Sequence, residues 1–199
     1  MIRNIWAVGR NYAEHAKELG NAVPQEPMIF LKAGSTAVEN SSEFKLPNWA
    51  HDIHHEVELA LEFNADLNFK RGAIALDLTE RTIQNQLKSK GHPWTLAKSF
   101  PHSTPLSNWF DIATEDLQNL QLVLKVNGEV RQNGNTQDMI FSAETLRKYV
   151  LERFPVCPGD LLLTGTPAGV GPVKPGDILE AEILGAGAVR KVKQTWKAL

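Results

Sequence analysis

Three features are scarce in this sequence, and each scarcity excludes a class of protein. No apolar run approaches the ~20 residues that a membrane-spanning helix requires, and the opening MIRNIWAVGR lacks the apolar region of a signal peptide. No basic block is present, and 21 Lys and Arg stand against 23 Asp and Glu, which argues against a nucleic-acid partner. The single cysteine, Cys157, cannot form an internal disulfide and is typical of a reducing compartment. We therefore expect a cytoplasmic protein without membrane or nucleic-acid partners, in which Cys157 is structural.

The composition that is present is that of an ordinary globular domain. The 199 residues are 42% hydrophobic and 22% charged, which fits one domain over residues 1–199. Hydrophobic periodicity predicts strands at 5–8, 28–31, 54–63, 160–163, 178–183 and 189–196, a hairpin of 122–126 with 129–131, helices at 13–19, 80–90 and 143–154, and a polar loop at 33–47. These elements predict an α+β fold that is predominantly β, arranged as a folded-over sheet or sandwich with short helices.

Two local signals in the C-terminal half are strong. Asn127-Gly128 suits a type I′ turn, because both central residues of that turn need a positive φ. Ser142 precedes the predicted helix 143–154 and is a good N-cap residue.

A group of carboxylates is the first pattern that indicates chemistry. Glu56 and Glu58 are two residues apart on a predicted strand, so their side chains point to the same side and can approach one cation. Asp77 follows the apolar run 73–76, where the end of a strand could present it. Three acidic groups favour Mg²⁺, Mn²⁺ or Ca²⁺ over Zn²⁺. Spacing alone leaves two alternatives open, a solvated strand face and a zinc or iron site that includes His54.

An imidazole beside a carboxylate is the second pattern. His15 and Glu18 are three residues apart on the predicted helix 13–19, so Glu18 can orient the His15 ring and raise its basicity. Such a pair can activate a water molecule. The alternative is an ordinary surface pair.

Further polar residues favour a substrate that carries a carboxylate. Asp77, Arg81 and Gln84 would be aligned at i, i+4 and i+7 if the strand ran directly into the helix. Lys98 adds a cation, and the turn at 163–167 adds hydroxyl and amide groups. The segment LTGTPAGVGP is rich in glycine, but it has no Gly-Lys-Ser or Gly-Lys-Thr, so it is not a P-loop.

Seven segments occur in a collinear order that covers nearly the whole chain. They are VGRNYA (8–13), EPMIFLK (26–32), HHEVEL (54–59), ALDLT (75–79), PWTLAKSF (93–100), VNGEVRQ (126–132) and LTGTPAGVGP (163–172). Together they resemble the fumarylacetoacetate hydrolase family, in particular its small single-domain acylpyruvase and oxaloacetate decarboxylase branch. The segment between Leu61 and Ala73 is shorter than in the family, which leaves the path of the chain to Asp77 open.

The resemblance implies a role for each of these residues. The Mg²⁺ or Mn²⁺ ligands, which Ca²⁺ could also use, would be Glu56, Glu58 and Asp77. The water-activating pair would be His15 and Glu18, on a segment, residues 9–20, that orders as a lid over the substrate. The substrate pocket would contain Lys98, Arg10, Tyr12, Arg81, Gln84 and Thr166. The implied fold is a mixed β-roll or sandwich, usually in a homodimer.

The implied reaction is metal-dependent cleavage of a small 2-oxo acid. Hydrolysis of an acylpyruvate would release a carboxylate and pyruvate, with Lys98 stabilising the oxyanion. The same site would decarboxylate oxaloacetate, which needs no attacking water. Keto–enol isomerisation of such acids is the alternative within the enzyme class. A non-catalytic protein with a structural Ca²⁺ is the alternative outside it, but it does not account for His15, Glu18 or Lys98.

Overall fold

The computed structural model describes residues 2–18, 20, 22–185 and 191–199, and strands predominate in them. The strands are β1 (Asn4–Gly9), β2 (Met28–Ala33), β3 (Ala37–Val38), β4 (Glu43–Phe44), β5 (Ile53–His55), β6 (Val57–Phe63), β7 (Phe69–Leu76), β8 (Thr79–Glu80), β9 (Thr104–Pro105), β10 (Phe110–Asp111), β11 (Gln121–Val126), β12 (Glu129–Asn135), β13 (Leu161–Leu163), β14 (Gly171–Pro172), β15 (Ile178–Leu184) and β16 (Lys191–Ala198). The α-helices are α1 (Ala13–Glu18), α2 (Arg81–Ser89), α3 (Thr95–Lys98) and α4 (Ala143–Arg153), and short 3-10 helices lie at Gly34–Thr36, Thr114–Gln118 and Thr136–Asp138. Among these residues, no helix combines the length and the apolar character needed to span a membrane.

Two mixed sheets form the body of the fold. The six-stranded sheet has the order β10-β7-β6-β13-β1-β2, with β1 and β13 parallel and all other neighbours antiparallel. The five-stranded sheet has the order β12-β11-β15-β16-β4 and is parallel only between β16 and β4. The sets β14-β5-β8 and β3-β9 form two smaller sheets. The predicted α+β fold, predominantly β, is confirmed.

The main core lies between the two large sheets because strand side chains alternate between faces. Val57, Leu59 and Leu61 of β6 share a buried cluster with Leu122 of β11. Ala60, between them in sequence, belongs to a second cluster on the opposite face of the six-stranded sheet. Burial of one such leucine stabilises the fold by about 1.5–3 kcal/mol. The alternation leaves Glu58 on the face away from this core.

A tight hairpin joins β6 to β7 and resolves the path of the chain to Asp77. The side-chain oxygen of Asn64 closes the turn by accepting hydrogen bonds from the N–H groups of residues 66 and 68, at 2.9 and 3.0 Å. Where β7 ends, the N–H of Asp77 donates to the carbonyl of Glu56 at 2.8 Å. The short segment therefore forms a direct return that places Asp77 beside Glu56.

Most predicted elements are confirmed. The correspondence holds for β1, α1, β2, α2, the β11–β12 hairpin, α4, β13, β15 and β16. Asn127 and Gly128 have φ angles of 52° and 82°, as a type I′ turn requires. The Ser142 hydroxyl accepts a hydrogen bond from the N–H of Thr145 at 3.2 Å and so caps α4. Residues 19, 189 and 190 of the predicted elements lie outside the described residues.

Two predicted segments are wrong in detail, because their secondary structure depends on pairing with strands that are distant in the sequence. The predicted strand 54–63 is broken at Glu56 into β5 and β6, since β5 pairs with β8 and β14 whereas β6 pairs with β7 and β13. The predicted loop 33–47 contains a 3-10 helix and the strands β3 and β4, which pair with β9 and β16. Neither pairing is visible in the local pattern.

Candidate metal and substrate site

Three carboxylates meet where the strand break and the hairpin end come together. Glu56 lies at the break between β5 and β6, Glu58 lies in β6, and Asp77 follows β7. One oxygen from each lies within 4.8 Å of the others, and all three side chains are buried. The structure thus brings together the three residues that the sequence suggested as metal ligands.

Three buried cations contact two of these carboxylates. Lys98 Nζ donates to Glu56 Oε2 at 2.7 Å and to Asp77 Oδ2 at 2.5 Å. Arg81 Nη2 donates to Glu56 Oε1 at 2.5 Å, and Lys32 Nζ donates to Asp77 Oδ1 at 2.6 Å. Burial raises the pKa of Glu56, but the charges of Lys98 and Arg81 outweigh burial and hold that pKa well below its usual range. Glu56 is therefore ionised at neutral pH.

Glu58 differs from its two neighbours because it has no cationic partner in the described part of the chain. Its Oε2 accepts a hydrogen bond from the N–H of Gly165 at 2.7 Å. Burial raises the pKa of Glu58, and the charges of Asp77 and Glu56 raise it further. A divalent cation would relieve this repulsion, and an all-carboxylate donor set is what Mg²⁺ and Mn²⁺ prefer. The residues present therefore fit a divalent metal ion.

His54 does not join the carboxylates. Its Nε2 lies 2.9 Å from Asp52 Oδ1, and the group of possible ligands contains only Glu56, Glu58 and Asp77 among the described residues. The zinc or iron site with an imidazole ligand is therefore not supported. The solvated strand face is also excluded, because the three carboxylates are buried.

A small cavity lies beside the carboxylates, and α1 contributes to its wall. Its volume is about 30 Å³, roughly the room of two water molecules. His15 of α1 lines it, with Nδ1 at 3.2 Å from Glu18 Oε2. Both oxygens of Glu18 lie within 3.2 Å of the N–H of Gly169, so this carboxylate links α1 to the loop after β13. The predicted pair is formed, and it lies between the cavity and the loop.

The protonation state of His15 follows from its surroundings. Burial lowers the pKa of His15, against smaller opposing contributions from Glu56 and Glu18. The ring is therefore neutral at pH 7. With Nδ1–H donated to Glu18, the lone pair is on Nε2.

One face of α2 lines the cavity beside the carboxylates. Arg81 and Gln84 are both buried there, and Arg81 Nη1 donates to Gln84 Oε1 at 2.7 Å. The condition for aligning Asp77 with Arg81 and Gln84 on one helix is not met, because β8 lies between Asp77 and α2. Lys88, one turn beyond Gln84, lines the same cavity and was missed. The spacing of seven residues from Arg81 to Lys88 was the available signal.

Of the remaining predicted substrate-pocket residues, Arg10 and Thr166 lie at the cavity and Tyr12 lies elsewhere. Arg10 and Thr166 line the cavity, and Arg10 has a φ of 61°, a strained left-handed conformation for a residue with a side chain. The Thr166 hydroxyl donates to the carbonyl of Val57 at 2.8 Å and accepts from Gln132 Nε2 at 2.7 Å. Tyr12 does not line this cavity; it borders a separate depression with residues 13, 14, 133, 134, 138, 167 and 168.

Two supporting residues, Lys32 and Gln132, could not have been found from local pattern. Lys32 follows an apolar run and reaches Asp77, which is 45 residues away. Gln132 Oε1 accepts from the N–H of Val57 and lies 3.0 Å from His55 Nδ1, while its amide nitrogen bonds Thr166. Gln132 thus joins the strand that carries Glu58 to the loop that carries Thr166.

Comparison with known proteins identifies the family. Residues 4–192 match the family described as fumarylacetoacetate (FAA) hydrolase C-terminal. The chain belongs to the fumarylacetoacetate hydrolase family. Its fold is also that of the family: the chain matches a fumarylpyruvate hydrolase from Pseudomonas aeruginosa, crystallised with Mn²⁺ and pyruvate, with a TM-score of 0.88 and 29% identity, over 100% of this chain and 90% of that one.

Two relatives of this fumarylacetoacetate hydrolase family member have oxaloacetate in their names. A mitochondrial oxaloacetate tautomerase of Arabidopsis thaliana is 46% identical over 94% of this chain and 88% of its own length. A mitochondrial oxaloacetate decarboxylase of Dictyostelium discoideum is 41% identical over 92% of this chain and 89% of its own length. The family membership and the enzymatic character of these relatives, together with the buried carboxylates, support an enzyme with a divalent metal site.

Proposed function

We propose that this protein catalyses the keto–enol tautomerisation of oxaloacetate in a reaction that depends on Mg²⁺ or Mn²⁺. The observation that carries the proposal is that a neutral base, His15, lines the same cavity as Glu56, Glu58 and Asp77. Tautomerisation moves one proton between a carbon atom and the neighbouring keto oxygen, so it needs a base and stabilisation of charge but no attacking water. The names of two similar proteins support oxaloacetate as the substrate.

His15 is placed to carry the proton. Glu18 holds the ring through Nδ1, and burial keeps the ring neutral by lowering its pKa. Nε2 can therefore accept a proton from C3 of the keto acid at neutral pH. Return of that proton to the oxygen on C2 gives the enol, and no atom is gained or lost.

The other cavity residues would bind the ion, stabilise charge and exclude water. Glu56, Glu58 and Asp77 would hold the metal ion; when bound, it would draw electron density from the C2 oxygen and make the C3 hydrogens more acidic. Lys98 uses two N–H groups on carboxylates, so its third can donate to a substrate oxygen. The contact of Glu18 with the loop after β13 would hold α1 beside the cavity and limit access of bulk water.

Acylpyruvate hydrolysis is the second candidate, and a neighbouring groove favours it. The groove has a volume of about 320 Å³ and is lined by residues 28–31 and 92–95. It shares Met28, Phe30 and Trp94 with the cavity, and these apolar side chains could accommodate an acyl chain. His15 would then activate water, as the sequence suggested. Decarboxylation of oxaloacetate, which needs no water, is compatible with either activity.

Rates on two substrates separate these activities. The tautomerase proposal predicts that the ultraviolet absorbance of enol-oxaloacetate disappears faster with enzyme and Mg²⁺ than with enzyme and EDTA. Pyruvate formation, from oxaloacetate and from acetylpyruvate, is measured in the same samples with lactate dehydrogenase. Unchanged tautomerisation would refute the proposal, and faster pyruvate release from acetylpyruvate than tautomerisation would favour the hydrolase.

We also propose properties of the whole protein that follow from the family resemblance. These are a single catalytic domain over residues 1–199, a lid formed by residues 9–20, a homodimer, and no nucleic-acid or membrane partner. A cytoplasmic location is likewise a proposal, and two relatives are named mitochondrial. Light scattering after size-exclusion chromatography tests the dimer, and fractionation of source cells tests the location.

A further inference from the structure

Two cations of the cavity have no carboxylate partner among the residues that the structure describes. Of the four that line it, Arg81 and Lys98 are bound by carboxylates. Arg10 and Lys88 form no side-chain hydrogen bond or ion pair with any residue that the structure describes, and Arg10 Nε is fully shielded from solvent without an acceptor. Buried donors are almost always paired, so the unpaired Nε of Arg10, in the same cavity as the half-buried ammonium of Lys88, indicates a place for an anion.

Lys98 and Lys88 lie against different rings of an aromatic pair that lines the cavity. Lys98 Nζ lies 5.1 Å from the centre of the Phe30 ring, and Phe30 packs on Trp94 with ring centres 5.7 Å apart. Lys88 Nζ lies 5.1 Å from the centre of the Trp94 ring. We call the part of the cavity beside Lys98 and Phe30, next to the carboxylates, its metal end, and the part beside Lys88 and Trp94 its Lys88 end.

The charges around Lys88 are mainly positive. Burial lowers the pKa of Lys88, the charges of Arg81 and Arg10 add to this effect, and together these influences bring the pKa to about 8. The two arginines thus act on the same region as the Lys88 ammonium. Lys98 lowers this pKa as well, and Glu56 opposes these charges with a smaller contribution and no ion pair to Lys88, so a bound anion would offset the remaining positive charge.

We propose that Arg10 and Lys88 bind the second carboxylate of a 2-oxo dicarboxylic acid. The proposal rests on the proposed function, which places the 2-oxo acid end of the substrate at Glu56, Glu58 and Asp77. A four-carbon diacid then directs its far carboxylate along Phe30 and Trp94 toward the two free cations. Acylpyruvates with a neutral acyl group offer no charge to this end of the cavity. Arg10 and Lys88 therefore select oxaloacetate over such substrates.

Lys88→Met tests this selection by comparing two ligands in one assay. Oxaloacetate would use both ends of the cavity, whereas oxalate is long enough only for the metal end. Loss of one charged hydrogen bond is expected to raise KM for oxaloacetate roughly ten- to a hundredfold. The inhibition constant of oxalate should stay within a factor of about three, because oxalate does not reach the Lys88 end. Lys88→Arg keeps the charge and should restore most of the affinity.

Lys90→Met is the matched control, because Lys90 is an exposed lysine at the end of the same helix and does not line the cavity. It should leave KM and oxalate inhibition unchanged. An unchanged KM in Lys88→Met, or an equal loss for oxaloacetate and oxalate, would overturn the proposal. Failure of the proposed function would be seen separately, as wild-type protein that does not accelerate oxaloacetate tautomerisation with Mg²⁺.

Discussion

Replacing Glu58 with glutamine tests the metal site, because stability and metal binding should respond in different directions. Glu58 is 1% exposed and accepts a hydrogen bond from the N–H of Gly165 at 2.7 Å. Glutamine has almost the same shape, and its carbonyl oxygen can accept the same bond. Glu58→Gln therefore removes the charge and keeps the packing.

The sign of the effect on the metal-free protein follows from the pKa of Glu58. Burial and the neighbouring carboxylates raise this pKa in the folded state. A raised pKa adds stability below the pKa of the unfolded chain, about 4.3, and that contribution is lost as the pH rises through the folded-state pKa. Wild-type protein therefore loses this contribution as the pH rises, whereas the variant has no such dependence. We expect metal-free Glu58→Gln to melt at the same temperature as wild type or higher.

The effect of metal is opposite in sign. Mn²⁺ at a hundred times its Kd adds about 2.7 kcal/mol to wild-type stability, which for a chain of this size raises Tm by about 5–10 °C. The variant lacks one of three anionic ligands. If its affinity falls a hundredfold, the same Mn²⁺ concentration adds only about 0.4 kcal/mol, or ~1–2 °C.

Calorimetric melting at pH 7 after EDTA treatment, with and without MnCl₂, measures both effects. Glu62→Gln is the matched control, because Glu62 lies on β6 on the same side as Glu58 but pairs with Arg71 outside the carboxylate group. That control should keep the full Mn²⁺ shift. A full shift in Glu58→Gln, or a large loss of stability in that variant without metal, would refute the reasoning.

Three other substitutions test the base, the closing loop and the fold. His15→Ala should slow tautomerisation by ~10²–10⁴-fold and decarboxylation much less, and equal losses in both reactions would make His15 a positioning residue. Wild-type activity should fall as the pH drops, with a midpoint below the ordinary histidine value of about 6.5, because burial lowers the His15 pKa. Gly169→Ala should lower kcat, because the loop that contacts Glu18 must shift to accommodate the side chain. A Cβ there would lie 1.9 Å from the carbonyl oxygen of Arg131, and the φ of 97° disfavours a side chain. An unchanged kcat would contradict this. Asp160→Ala should lower the free energy of unfolding, measured with urea, by roughly 2–4 kcal/mol, because the Asp160 carboxylate accepts hydrogen bonds from donors of β1 and of residue 157. A loss below ~1 kcal/mol would show that these donors find other acceptors.

Local sequence determined the elements and the residues that carry chemistry. The β11–β12 turn needed only Asn127-Gly128, and the start of α4 needed only Ser142, because turn and cap preferences act over a few residues. Alternation along β6 put Val57 into the core and left Glu58 on the other face. The spacing of His15 and Glu18 likewise sufficed to predict their contact within one helix.

Tertiary structure decided which of these residues share a cavity. Three features depend on how separate strands pair: the strand break at Glu56, the contact of Lys32 with Asp77, and the position of Tyr12 outside the cavity lining. A periodic pattern states which side of an element a side chain occupies, but it carries no information about the element that packs there. Sheet pairing joins segments far apart in the chain, and it is fixed only when the whole core is buried at once.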